Sequence, residues 1–274
     1  MKENQTAVLN KRSIKFVTIS LYLFITACGG GGGGGGGSTS STSAVTNQAF
    51  GGAWKGTDPY GITWYALSTD NGKFRFISLN TREQGHGTGS VSGNTATINY
   101  TLIPPVGYTL TAQLGGGASS ACNGSGTIQQ RQTFAATMNC TDTGTNATWA
   151  SSVSLAYLSL YDRDSSLSTI AGNYLDGAYT LNINSDGTIF EQIPSTGCVV
   201  NGQVSIIDTA FNAYDVTVTY SNCVSGWWIY INGQTFTGLA TLDNTVQPEV
   251  LIGGLNGTST NGYHFSVTFE FPRL

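Results

Sequence analysis

From Phe50 onward the chain is a succession of short runs rich in β-branched and aromatic residues, separated by glycine, asparagine and aspartate, and this pattern constrains its fold more than any other feature. The runs 62–68, 73–79, 95–102, 108–114, 127–130, 133–139 and 149–160 read as strands, followed by 179–184, 188–193, 199–207, 214–220, 227–231, 235–242, 250–253 and 264–271. Asp70-Asn71-Gly72 and Ser185-Asp186-Gly187 are hairpin signals, because Asn and Gly tolerate positive φ. No segment sustains a helical period. The sequence predicts an all-β fold.

The chain also echoes itself. Gly51-Gly52-Ala53-Trp54 recurs as Ala171-Gly172-Asn173-Tyr174, and Gln132-Thr133-Phe134 as Gln234-Thr235-Phe236. The alternating run Trp149, Val153, Leu155, Tyr157 matches Tyr263, Val267, Phe269, Phe271. Aligning Cys122 with Cys198 and Cys140 with Cys223 gives a second alignment that conflicts with the Gln-Thr-Phe match. The expectation is two similar antiparallel β-barrel or β-sandwich domains at 50–160 and 168–274, joined by 161–167; the alternative is one large barrel or sandwich.

Ahead of them, residues 29–47 are almost wholly Gly, Ser and Thr, with nine consecutive glycines from Gly29 to Gly37. Such a segment buries too little apolar surface to fold, and residues 28–49 are expected to be a flexible linker. Lys11, Arg12 and Lys15 precede an apolar run from Phe16 to Ala27, the layout of an export signal. Twelve residues of helix span about 18 Å, short of a bilayer core near 30 Å.

Ile25-Thr26-Ala27-Cys28 resembles a bacterial lipobox. The resemblance implies a signal peptide of residues 1–27 removed before Cys28, acyl chains (palmitate among them) on Cys28, and an outer-membrane lipoprotein, since Gly29 follows the cysteine where aspartate would favour inner-membrane retention. The alternative is a secretory signal cut after Ala27. Four of the 11 basic residues (Lys2, Lys11, Arg12, Lys15) and one of the 15 acidic ones (Glu3) precede Cys28, leaving 7 against 14 and a net charge of −7. An acidic chain without a basic cluster argues against nucleic acid as a partner. The expected partners are the membrane, through Cys28, and a protein or glycan.

In an oxidising compartment the other four cysteines are expected to pair. A hairpin about Arg131 sets Cys122 opposite Cys140; one centred between Ala210 and Phe211 sets Cys198 opposite Cys223.

Chemistry is sparse. No cofactor motif or metal-ligand spacing is present, and the two histidines, His86 and His264, are far apart in sequence. Glu83 and His86 read as solvated loop residues, and Asp142 and Asp186 as turn residues. Trp227 and Trp228 on one strand would put one indole in the core and leave the other to stack on a sugar or anchor a protein. Gly52-x-Trp54 resembles the start of lipocalin-like barrels, whose tryptophan closes one barrel end, though the rest of that pattern is missing; Trp54 and its echo Tyr174 complete the candidate binding residues. Three functions follow: a non-enzymatic envelope protein for adhesion, scaffolding or neutralising a toxin or hydrolase; a hydrophobic-ligand carrier, requiring a cavity of about 300 Å³; or an envelope enzyme, requiring several of Glu83, His86, Asp142, Asp186, Glu191 and Asp215 to converge.

Overall fold

The computed structural model describes residues 46–274. The expected signal peptide, Cys28 and most of the linker lie outside them. The linker's last residues belong to the fold: Gln48 N–H donates to Gly93 O, and Asn47 Oδ1 accepts from Gly93 N–H.

The first eight strands run β1 Gly52–Thr57, β2 Thr63–Ser68, β3 Lys73–Ser78, β4 Gln84–Ser92, β5 Thr95–Ile103, β6 Ser120–Gln129, β7 Thr133–Asp142 and β8 Thr148–Tyr157. Each pairs antiparallel with the next, and β8 pairs back onto β1 through Trp54↔Tyr157 to Gly56↔Leu155, closing barrel 1. The second eight run β9 Gly172–Asp176, β10 Tyr179–Ile183, β11 Thr188–Ile193, β12 Cys198–Ile206, β13 Tyr214–Ser221, β14 Thr235–Asp243, β15 Val250–Thr258 and β16 His264–Pro272. This sheet curls into barrel 2, but its ends meet only at a single bridge, Tyr174↔Arg273.

Strand alternation produces the cores. In β7, Phe134, Ala136, Met138 and Cys140 face inward while their neighbours face out. Trp54, Phe74, Phe134 and Leu155 help fill barrel 1; Tyr174, Tyr214, Phe236 and Leu242 help fill barrel 2. A third cluster, Ala53, Leu67, Leu160, Tyr161, Ala213 and Leu239, packs one barrel on the other. Asn212, fully buried, donates to Leu160 O and Leu242 O, fixing the join to barrel 2.

Several boundaries differ from expectation. Residues 108–114 form a loop ending in a 3-10 turn at Ala112–Leu114, entered through Pro104-Pro105, which lack backbone donors for a ladder. Residues 227–231 lie in a 3-10 turn, Gly226–Ile231. Three unexpected strands are β1, β4 and β9. The sequence of β4, QGHGTGSVS, hides its period behind glycines, and Gly89 is required there because a Cβ would lie 2.1 Å from the Phe50 ring. The repeat holds at first and last strands: Trp54 and Tyr174 are both third in β1 and β9, and β8 corresponds to β16. The Gln-Thr-Phe match is one strand out, joining the seventh strand of barrel 1 to the sixth of barrel 2. The cysteine alignment fails too, since Cys122 and Cys140 lie on the sixth and seventh strands, whereas Cys198 lies on the fourth and Cys223 follows the fifth.

Candidate functional site

Both disulfides form as paired in the sequence reading, Cys122–Cys140 and Cys198–Cys223, each with Cα atoms 4.1 Å apart. Cys122 and Cys140 stand directly opposite in register. The second hairpin is centred one half-position earlier than expected: Val199 pairs with Ser221, which sets position 198 level with Asn222. Asn222, at φ 58°, absorbs the extra residue and lets Cys223 reach Cys198. In the chain-entropy account each bridge contributes about 3 kcal/mol.

Trp54 and Tyr174 are core residues. Trp54, 1% exposed, packs on Phe134 and Tyr157 and donates from Nε1 to Ser68 Oγ. Tyr174, 0% exposed, donates to Ile170 O and accepts from Arg273. The two adjacent tryptophans divide as expected but by a different geometry, because a 3-10 turn rather than a strand separates them. Trp228 packs against Tyr220 toward the barrel 2 core, while Trp227 remains exposed. A Cβ on Gly107 would lie 2.6 Å from Trp227, so only glycine lets the indole lie against the loop of barrel 1 that carries Tyr108.

That contact creates a surface. Of eleven exposed large apolar residues among the described residues, five lie on the neighbouring loops at one end of the fold: Tyr108, Val224, Trp227, Ile229 and Tyr263. Their loops are joined by Trp227 on Gly107, by Trp227–Tyr230 ring packing at 5.5 Å, and by Thr260 N–H donating to Tyr230 O. Glu83 holds the Tyr108 loop in place. Its carboxylate accepts from Thr111 N–H and Thr81 Oγ1, and burial raises its pKa despite those donors. Scattered exposed apolar residues need no explanation, but a contiguous group marks an interaction surface.

The amino-terminal entry lies at the other end. Gly51 N–H donates to Asp70, Gln48 to Gly93, and Gln130 N–H to Gln48, so the chain enters among the β2–β3, β4–β5 and β6–β7 turns. In an up-and-down barrel these turns share one end, and the β5–β6 loop with Tyr108 occupies the opposite one.

A groove of about 550 Å³ runs between the barrels, lined by Lys73, Arg75, Ser205, Asp215 and Thr237. Lys73 Nζ reaches both Asp215 oxygens at 2.6 Å, and Arg75 Nη2 donates to Thr237 O at 3.2 Å. Burial lowers the Arg75 pKa to about 10, with Asp215 opposing, and leaves Nε without a partner. His86 lies on β4 directly opposite Arg75, not in a solvated loop. Burial, then Arg75 and His264, lower its pKa to about 4, so its ring is neutral near pH 7.

The carboxylates do not assemble into a common centre. Asp142 accepts from Gly144 and Thr145, and Asp186 from Thr188, each lowering the acid's pKa and serving a turn. Glu83 anchors a loop, Asp215 pairs with Lys73, and Glu191 lies inside barrel 2. Among the described residues no group of three or more His, Cys, Asp or Glu is placed to hold a metal. Among the described residues, a cavity of about 10 Å³ lies beside Trp64 in barrel 1 and one of about 70 Å³ beside Glu191 in barrel 2. No protein-family model matches the chain, and no curated protein matches it in sequence.

Proposed function

We propose that this chain is a lipid-anchored, non-enzymatic protein of the outer membrane that binds a protein partner through its aromatic end. The observation that carries this reading is the placement of Tyr108, Val224, Trp227, Ile229 and Tyr263 at the end opposite the amino-terminal entry. A tether on Cys28 would join the folded unit at the end opposite these residues and leave them free of the attachment. Exposed aromatic side chains grouped with Val224 and Ile229 suit a protein surface, where a few such residues carry most of the binding energy. The carrier reading is not taken forward, because neither barrel interior approaches about 300 Å³.

Cys28→Ala tests the anchor: the variant is expected in the soluble fraction or as uncut precursor, and unchanged membrane association refutes the lipid tether. For the binding surface, a photo-crosslinking residue at position 108 is introduced in cells with and without Trp227→Ser. Crosslinks to a single protein that disappear with Trp227→Ser support the surface. Undiminished crosslinks in that background, or crosslinks to glycan alone, overturn it.

A further inference from the structure

Barrel 2 carries a carboxyl group in its apolar lumen. On β11 the inward positions are Ile189, Glu191 and Ile193, so alternation drives Glu191 into the interior. It is 4% exposed, and its Oε1 has no hydrogen-bond partner. Asp176, at the end of β9, is the acidic group beside it, close enough for the two carboxyls to share a hydrogen bond. None of the four ion pairs among the described residues includes either acid. Arg82, on the β3–β4 turn of barrel 1, influences Asp176 from a distance while donating to Thr268 O.

Around this pair lies the cavity of about 70 Å³, walled by aliphatic side chains and by Tyr220, Trp228 and Phe269. Asp176, Trp228, Val267 and Phe271 also line it and are only half-buried, so it opens to solvent. Of these, Asp176 stands on β9 and Val267 and Phe271 on β16, the two strands joined at a seam by the single bridge Tyr174↔Arg273.

We infer that this seam cavity binds the head of a primary alkylammonium ion, held by Glu191 and Asp176 and faced by Tyr220, Trp228 and Phe269. Its size admits an ammonium group and little of its chain, which would trail out to solvent. The orphaned Oε1 and the Asp176 carboxyl supply charge-assisted acceptors, and the aromatic walls favour an organic cation. Calcium would require six or more oxygens where two carboxyls stand. A neutral apolar guest would leave Glu191 unpaired in a desolvated site, and an anion would be repelled. The site is distinct from the exposed aromatic end and does not rest on the function proposed above.

Binding is linked to proton release. Burial, then the Asp176 charge, raise the Glu191 pKa to about 8, so the empty site holds a proton that the cation must displace. Tyr220 is the remaining titratable group facing the pair; its own pKa is raised well out of the working range, and it stays neutral. Calorimetric titration of the full chain with n-butylammonium chloride, against sodium chloride at equal ionic strength, tests the assignment. Affinity is expected to rise about tenfold between pH 7 and pH 9 and to be lost in Glu191→Gln. Asp176→Asn serves the same purpose should that variant fail to fold. The inference is overturned by no saturable heat at pH 9, by pH-independent affinity, by equal affinity for 1-butanol, or by undiminished binding in a folded variant.

Discussion

Removing the Arg273 side chain should loosen barrel 2 at its seam. Backbone contacts between β9 and its far neighbour are few: the Tyr174↔Arg273 bridge and a bond from Leu274 N–H to Asn173 O. The Arg273 guanidinium supplies the rest. Its Nη2 donates to Thr169 O at 2.6 Å and to Tyr174 Oη at 2.7 Å, its Nη1 pairs with Glu249, and the cation lies 5.3 Å from the Tyr174 ring centre. Arg273→Ala would leave Thr169 O at the end of the short helix Leu167–Ile170 without this donor, and Glu249 with only Arg163, 3.9 Å away. Hydrogen bonds to a charged group are worth about 1.5–3 kcal/mol each, and the guanidinium is about one-quarter exposed, so a loss of about 3 kcal/mol is expected. For a unit of this size that lowers the melting temperature by about 6–12 °C. Arg273→Lys keeps the charge but not the fork, and should recover less than half of the loss. Scanning calorimetry measures the shift, and hydrogen exchange locates it, with Leu175 and Asp176 amides losing protection first. Melting within 2 °C of wild type, with unchanged exchange in β9, would show that the backbone alone closes the seam.

Trp54→Ala should cost about 3–5 kcal/mol in urea denaturation, since it empties one end of barrel 1 and leaves Ser68 Oγ without the indole donor. Glu191 binds its proton more tightly in the folded state than in the unfolded one, so its contribution to stability falls as pH rises from about 4.5 toward about 8. Wild type should therefore lose stability relative to Glu191→Gln across that interval and not beyond it, as followed by melting temperature at each pH. Residues 168–274 expressed alone should self-associate on size-exclusion chromatography, whereas residues 46–160 should elute as a monomer, because only barrel 1 has its edges closed.

The all-β class and the disulfide pairs were legible because they rest on local periodicity and hairpin symmetry. Cys122 and Cys140 lie equally far from Arg131, and an unbroken ladder preserves that symmetry. The same reasoning reached Cys198–Cys223 through a hairpin centre that the left-handed Asn222 displaces. What escaped was set by tertiary contacts. Strand β4 pairs along its whole length although its glycines erase the alternation, and Trp227–Trp228 looks strand-like but is turned by contacts with the Gly107 loop. In the sequence Glu191 figures only as one of six residues that an enzyme would bring together; the burial pattern of β11 turns it inward with Ile189 and Ile193 instead. Trp54 and Tyr174 were noticed as a repeat, and the repeat reflects matching core positions at the first strand of each barrel.

The difference between a closed and an open sheet explains why the two barrels form one unit. Strand β16 would present unpaired donors and acceptors along its outer edge, and barrel 1 covers them. Pro104 O accepts from Ser266 N–H, Arg82 donates to Thr268 O, and Ser266 Oγ donates to Arg82 O. Barrel 1 can do this because it is complete in itself, so its β3–β4 and β5–β6 loops are free to reach outward. The same loops then shape each surface with binding potential. Arg82 stands near the Asp176 end of the seam, and the Gly107 loop seats Trp227 beside Tyr108. The intervening groove is set by β3 of one barrel against β13 and β14 of the other. On the proposed reading, recognition is a property of the junction. A substitution that separates the barrels should abolish the aromatic end and the groove together while leaving both disulfides and both cores intact.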